Sequence, residues 1–297
     1  MGIIFALKRF EIHDGDGVRT TLFLKGCPLR CKWCHNPEGI SPRPQLSYLS
    51  EKCIGCGECA AVCPLHTVNG DGHRFDRTRC VGCGRCEAVC LGGALRQYGR
   101  EVTAEEILPA LLEDRDFYRY SGGGVTLSGG EPLLQAVFCA ELLERLKAEG
   151  INTAVDTCGL VAKEQLALVI PYTDTFLFDL KAMDEAVHIR CTGASNRLIL
   201  KNLQELDHLG KAIEIRIPYV PGLNDGEMEA IGRFLSGLHS VRKIKLLPYH
   251  DYAVSKYRSL GLAEPLPGCH PPRREEIDRV VAAFEHLGLP AVNGARE

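Results

Sequence analysis

The sequence predicts an α/β fold on parallel strands, interrupted by a compact metal-binding block. Two observations carry this. Six short apolar runs alternate with helical stretches, and eleven of the 15 cysteines fall between Cys27 and Cys90. The chain has 297 residues, 45% hydrophobic and 25% charged, an ordinary globular composition. A chain of this length needs no disulfides to hold a core. No charged and then apolar leader opens it, and no apolar run approaches the roughly 20 residues of a membrane span. A cytoplasmic, reducing setting is therefore expected, where clustered thiols point to metal. Thirty-five Lys and Arg against 38 Asp and Glu leave a net charge of −3, without the basic footprint of a nucleic-acid binder. No membrane partner is expected, and a monomer is.

Taken in order, the expected strands are 19–25, 125–128, 153–156, 175–180, 213–219 and 243–248. Helices are read at 107–117, 135–148, 163–169, 196–209, 226–238 and 272–287. Thr103 and Glu106 form a capping box ahead of the first, and Pro109 should kink it. The second carries apolar residues at helical spacing and stops at Gly150. This alternation implies βαβ units, hence an open sheet or a full or partial barrel. In each of these, active residues gather at the carboxyl ends of the strands.

Residues 47–99 read as an insert, leaving 1–46 and 100–297 as the main domain. Within the insert, Cys53, Cys56, Cys59 and Cys63 recur 27 positions on as Cys80, Cys83, Cys86 and Cys90. A polar turn, Asn69-Gly70-Asp71-Gly72, separates the two runs. Each run has the spacing of a bacterial ferredoxin cluster, and in paired runs the fourth cysteine crosses to the other cluster. One [4Fe–4S] cube would use Cys53, Cys56, Cys59 and Cys90, the other Cys80, Cys83, Cys86 and Cys63. Structural zinc is the plainer alternative, but zinc modules pair two Cys-x2-Cys knuckles across a longer gap. Leu91 stands where a second proline would complete the repeat.

Cys27-x3-Cys31-x2-Cys34 supplies three more thiolates, directly after the first expected strand. Three ligands leave a four-iron cube one short. This spacing resembles the signature of the radical S-adenosylmethionine (SAM) superfamily, in which SAM chelates the open iron through its amino and carboxylate groups. A zinc knuckle or free core thiols would be the bland reading. The neighbouring motifs sit at expected strand ends: Ser128-Gly129-Gly130-Glu131-Pro132, then Asp156-Thr157-Cys158-Gly159, then Asp179-Leu180-Lys181. In the first, two glycines allow close backbone approach to a ligand, and peptide groups with a carboxylate suit an ammonium. Arg216 and His250 extend the ring. Singly, an Asp or Lys at a strand end is usually a solvated boundary residue.

Together these residues resemble the activating enzymes of glycyl radical enzymes, in the subgroup with a ferredoxin-like insert. The likeness runs through His13-Asp14-Gly15, Gly17-Val18-Arg19-Thr20, the stretch from Lys25 to Glu38, and Ser121 to Pro132. The resemblance implies a partial (β/α)6 TIM-like barrel with a lateral opening and an inserted two-cluster domain. It implies that the SAM amino group meets Gly129, Gly130, Glu131 and Asp156, and its carboxylate Lys181. Arg216 and His250 would line the carboxylate, ribose and adenine region, with Trp33 and His35 flanking the cluster and Leu180 beside the site. A monovalent cation, sodium or potassium, would be held by Asp156, Thr157, Asp179 and the backbone of Leu177. Asp16 stands where the family has proline.

The implied reaction begins with one electron, from flavodoxin or ferredoxin, reducing the Cys27/Cys31/Cys34 cluster. SAM is then cleaved to methionine and a 5′-deoxyadenosyl radical, which takes a hydrogen from a backbone glycine of a separate glycyl radical enzyme. No acid–base dyad is required, because the cofactor carries the hard chemistry. The count comes to three clusters. Two other functions compete: a radical SAM enzyme acting on a small molecule, and an electron carrier whose barrel only docks a redox partner. The segment 121–124 favours the activase over the first; the open cysteine triplet with Asp179 and Lys181 argues against the second. Cys139 and Cys191 read as packed thiols, and Cys158 and Cys269 have no assigned role.

Overall fold

A computed structural model describes residues 1–70 and 72–295. Its elements, in chain order, are β1 (Gly2–Glu11), β2 (Arg19–Leu24), β3 (Gln45–Tyr48), α1 (Glu58–Val62), β4 (His66–Asn69), β5 (Gly72–Phe75), α2 (Arg85–Ala88), β6 (Leu95–Tyr98) and β7 (Arg100–Val102). Next come α3 (Ala104–Leu112), α4 (Arg115–Ser121), β8 (Gly124–Gly129), α5 (Ala136–Ala148), β9 (Asn152–Thr157), α6 (Lys163–Val169) and β10 (Thr175–Asp179). The chain closes with α7 (Glu185–Thr192), α8 (Arg197–His208), β11 (Ala212–Tyr219), α9 (Met228–Leu235), β12 (Val241–Pro248), α10 (Val254–Ser259), α11 (Arg274–His286) and β13 (Ala291–Asn293).

Nine strands form one sheet in the order β13-β12-β11-β10-β9-β8-β2-β1-β7. From β2 to β13 every pairing is parallel, with β8 to β12 each following the last through a helical crossover, as the alternation predicts. The six expected strands are all present. Strands β1 and β7, which had not been expected, extend the sheet antiparallel at one edge, and β13 adds a short parallel strand at the other.

The strands alternate in chemistry. Leu22, Leu24, Val125, Leu127, Val155, Phe176, Phe178, Ile213, Ile215, Ile217, Ile244 and Leu246 belong to one core, shared with Leu142 and Leu146 of α5, Leu203 of α8, Ile231 of α9 and Phe284 of α11. Most intervening positions are polar, Thr126, Ser128, Asp156, Asp179, Glu214, Arg216 and Lys245 among them, with Phe23 and Leu177 as apolar exceptions. Parallel strands buried between two helical layers read as continuous apolar runs. Here only one face packs on helices, and the other turns charged groups toward a shared interior. Buried Glu214 and Lys245 pair there at 3.4 Å.

Helix boundaries follow local signals. The capping box forms, with Glu106 N–H donating to Thr103 Oγ1 and Thr103 N–H to Glu106 Oε2. The single helix expected over 107–117 is divided in two. Pro109 lies inside α3, which stops at Leu112, and α4 restarts at Arg115. α5 ends ahead of Gly150, which takes φ +72°. In the cysteine-rich block, β3 pairs antiparallel with β6 and β4 with β5. The turn expected at 69–72 joins β4 to β5; its Asp71 lies outside the described residues.

Candidate active site at the carboxyl edge of the sheet

A cavity of about 750 Å³ opens at the carboxyl ends of the parallel strands. It is lined by Cys27, Cys31 and Cys34 after β2, Gly129 and Gly130 at β8, Asp156 at β9, Asp179 and Lys181 at β10, Arg216 on β11 and His250 after β12, together with Trp33 and His35. Twelve of the expected site residues thus share one space. Thr157, Glu131 and Leu180 do not line it.

The cysteine loop is held by backbone hydrogen bonds. Cys27 N–H donates to Ile40 O, while Arg30 and Lys32 N–H donate to Thr192 O and Cys191 O, carbonyls left open at the end of α7. From the other side, Lys256 Nζ of α10 reaches His35 O at 2.8 Å and Glu38 Oε1 at 2.7 Å. The same helix accepts from the cysteine-rich block, since Arg77 Nη2 donates to Ser259 O. Burial pushes the Cys31 thiol up to about 12 and Cys34 to about 11, with neighbouring thiols adding to both. Such thiols ionise readily only when a cation takes the charge, as cluster iron does. The donor set therefore fits an iron–sulfur group.

The glycine turn is dictated by close packing. A Cβ on Gly129 would lie 2.2 Å from Leu24 O, and one on Gly130 2.2 Å from Gly26 O. Gly129 also takes φ +129°, a conformation strained for any other residue. Gly130 N–H and Glu131 N–H bond Leu24 O and Gly26 O, so β8 and the start of the cysteine loop move as one.

Charge inside the cavity is balanced by contact. Arg216 Nη1 lies 3.1 Å from Asp156 Oδ2 and its Nη2 3.6 Å from Asp14 Oδ1. Ser128 Oγ also donates to Asp156 Oδ2. Burial raises Asp156 to about 7, against the pull of Arg216 and with help from Asp179 and Asp14. Lys181 Nζ sits 2.7 Å from Asp179 Oδ2; burial works against its charge, but Asp179 and Cys31 outweigh this and hold it above its usual value. His35 and His250 stack at 3.8 Å, with Tyr252 continuing the stack at 4.2 Å. Burial and His250 bring His35 down to about 4, so it is neutral near pH 7.

Glu131 departs from the sequence expectation. Its carboxylate is fully buried and turned away from the cavity, accepting from Thr157 Oγ1, Cys158 N–H and Leu133 N–H. It clamps the end of β8 to the end of β9. Thr157 spends its hydroxyl on that clamp, and Leu180 packs in the core while its N–H bonds Arg216 O.

Residues missed in sequence complete the ring. His13 lines the cavity, and Asp14 accepts from Thr21 Oγ1 and pairs with Arg216. Their loop is fixed by buried Arg19, which bonds Asp16 O, Thr126 Oγ1 and Val125 O. Asn224 joins two strand ends, donating to Lys181 O and Pro218 O. No helix of the described residues is long and apolar enough to cross a membrane.

Comparison with known proteins places the chain in a family. Residues 74–235 match the radical SAM superfamily, residues 52–94 a 4Fe-4S dicluster domain and residues 13–59 a 4Fe-4S single cluster domain. The choline trimethylamine-lyase activating enzyme of Oleidesulfovibrio alaskensis is 41% identical, over 97% of this chain and 96% of its own. The trans-4-hydroxy-L-proline dehydratase activating enzyme of Clostridioides difficile is 39% identical, over 95% and 96%. The benzylsuccinate synthase activating enzyme of Thauera aromatica is 42% identical, over 88% and 82%. A solved domain of a pyruvate-formate lyase-activating enzyme from Bacteroides vulgatus superposes with a TM-score of 0.50 at 34% identity, covering 58% of this chain and 99% of that one. Streptococcus suis SuiB bound to precursor peptide SuiA shares the fold alone, with a TM-score of 0.53 at 14% identity over 90% of this chain and 46% of that one. With α/β architecture, iron–sulfur motifs and relatives at ~40% identity over nearly its full length, the chain belongs to the radical SAM superfamily and, within it, to the activating enzymes of glycyl radical enzymes.

Proposed function

We propose that the carboxyl-edge cavity binds SAM against a [4Fe–4S] cluster carried by Cys27, Cys31 and Cys34. One observation carries the reading: three thiols from a single loop share a cavity with paired acids and bases and a glycine turn. Three thiolates leave one cluster position for an outside ligand. Groups of both signs nearby suit a ligand with an amino and a carboxylate group. Cys158 is engaged with Cys27 and the Glu131 carboxylate.

Held by Cys27, Cys31 and Cys34, the cluster would supply the one-electron reduction by which SAM is cleaved and a hydrogen taken from a backbone glycine of the partner enzyme. This chain's residues bind, orient and exclude water. Asp156 and the Gly129–Gly130 turn hold the amino group, and Lys181 and Arg216 the carboxylate. The His35–His250 stack shelves the ribose and adenine, and Trp33 closes the side below. Glu131 positions the turn through Thr157 and Cys158 without touching SAM. A monovalent cation would be drawn to Asp156, Thr157 and Asp179, and binding it requires Asp179 to share its oxygens with Lys181.

The sheet is read as a partial (β/α)6 barrel, since the loop after β2 and residues of β8 through β12 line one cavity. Residues 47–99 are read as a ferredoxin-like domain with two further [4Fe–4S] clusters, three in all. Cys53, Cys56, Cys59 and Cys90 line a small cavity of their own, and the Cys86 thiol feels Cys80 and Cys63. Flavodoxin or ferredoxin is the electron donor in this reading, and the protein acts as a cytoplasmic monomer.

The test is anaerobic reconstitution, reduction with SAM present, and electron paramagnetic resonance (EPR) after adding a candidate glycyl radical enzyme. A glycyl doublet is expected. Deoxyadenosine release without a doublet, across all candidates, would point to a small-molecule substrate, and no SAM cleavage under any reductant would leave an electron carrier.

A further inference from the structure

The two cysteine runs repeat in spacing, but their surroundings do not. His66 on β4 and His73 on β5 face each other across the hairpin beside the first set. Their rings stack at 5.1 Å, and His66 Nδ1 lies 2.8 Å from His73 Nε2. Cys59 Sγ and a ring nitrogen of each histidine lie within 4.8 Å of one another. His73 lines the same small cavity as Cys53, Cys56, Cys59 and Cys90, and the Tyr48 ring packs edge-on against it at 4.4 Å. At the matching positions 27 residues on, the second run has Gly93 and Arg100.

The nitrogens can be counted. One atom of the Nδ1···Nε2 contact must donate and the other accept. His73 Nδ1 is the remaining nitrogen on its ring; it is buried and has no partner among the described residues. Left so, it forfeits a hydrogen bond where water cannot replace it. With His66 Nδ1–H donating to His73 Nε2, the His73 proton resides on Nδ1, on a ring that lines the cavity together with four thiols. Thiolates and sulfides are the acceptors such a cavity would offer. A hydrogen bond to cluster sulfur stabilises the reduced, more negative state, and such bonds are among the terms that set cluster potentials.

We propose that His73, its tautomer set by His66, donates a hydrogen bond to the cluster held by Cys53, Cys56, Cys59 and Cys90, placing that cluster at a higher reduction potential than its repeat partner. The proposal rests on the two-cluster reading of the insert. The sequence repeat then conceals a functional asymmetry, in which an electron arriving at the insert rests on the Cys53 set. His73 is a positioning residue for that electron and no ligand.

The test is a redox titration of the reconstituted full-length holoprotein, followed by EPR, with iron counted for every variant. His73→Phe keeps the ring packing and removes the donor; His73→Asn offers an amide N–H near the place of Nδ1. For His73→Phe, the reduction constant of one insert cluster should fall about fivefold, the worth of one net hydrogen bond, with the other unchanged. His73→Asn should recover most of the loss. Unshifted potentials, equal shifts in both clusters, or a loss of four irons in either variant would overturn the proposal. A wild-type protein whose iron accounts for only one insert cluster would overturn the two-cluster reading itself.

Discussion

Arg216 and Asp156 form a buried ion pair at 3.1 Å, and burial nonetheless keeps the Asp156 carboxyl poised near pH 7. Its folded pKa lies above the ordinary carboxylate value. The stability it contributes is therefore full below about pH 4 and fades as pH rises through about 7. Ligand binding should run the other way, since an ammonium is held by the ionised form. SAM affinity, measured by calorimetry on the reconstituted protein, should rise between pH 6 and pH 8. Asp156→Asn should weaken binding and flatten that dependence; an unchanged slope would remove Asp156 from the amino-group site.

Cys34→Ala leaves two thiols where the open cluster needs three. Iron should fall from about 12 to about 8 per chain, if each cluster holds four. Deoxyadenosine formation, followed by chromatography, should disappear. Continued cleavage would break the assignment of the cluster.

At Gly130 an added methyl would meet Gly26 O at 2.2 Å and Gly39 O at 2.5 Å, both backbone atoms. Gly130→Ala should lower stability by about 1–3 kcal/mol, the range for overpacking, and displace the cysteine loop. Denaturant unfolding measures the first, iron retention the second.

Lys256→Met would remove the ion-pair partner of the Glu38 carboxylate, leaving Lys25 as the nearby cation. Glu38 is buried, and its other oxygen already lacks a partner among the described residues. The Lys256 side chain is about a third exposed, so solvent screens the pair and its loss should cost about 1 kcal/mol. The variant should unfold earlier and lose cluster iron on dialysis. Replacing both residues, Lys256→Met with Glu38→Gln, should recover part of the stability.

Glu131→Gln separates a clamp from a ligand. The carboxylate accepts from Thr157, Cys158 N–H and Leu133 N–H away from the cavity. Substitution should lower the thermal midpoint while SAM affinity of the folded protein changes little. A large affinity loss at unchanged stability would return Glu131 to the ligand shell.

The helical crossovers and strand ends were legible in the sequence because each carried a local signature. Thr103 and Glu106 marked a helix start, and apolar runs ending in Asp156 or Asp179 marked the site edge. Helix α7 was missed because its buried side is polar, with His188 and Thr192 inside. Asp184 at its N-cap and Gly193 at φ +81° were the signals available. The direction of Glu131 was not legible, since partners 26 and 27 residues away decide which way a turn carboxylate points. Asp14 was visible as a motif, but its reach to Arg216 depends on a loop fixed by Arg19.

Strands β8 to β12 interleave two vocabularies, one read by the helices and one by the cavity. Outside the apolar run Phe176–Phe178 of β10, adjacent residues mostly belong to different vocabularies, so a frame of one residue separates the core from the chemistry. Deleting a single residue within β9 would carry Val155 into the cavity and Asp156 under the helices. Point substitutions in either register can be tolerated one at a time, but a change of length inside these strands exchanges both at once. Variation in length belongs in the connections, and the connection from β2 to β8 carries the whole cysteine-rich block.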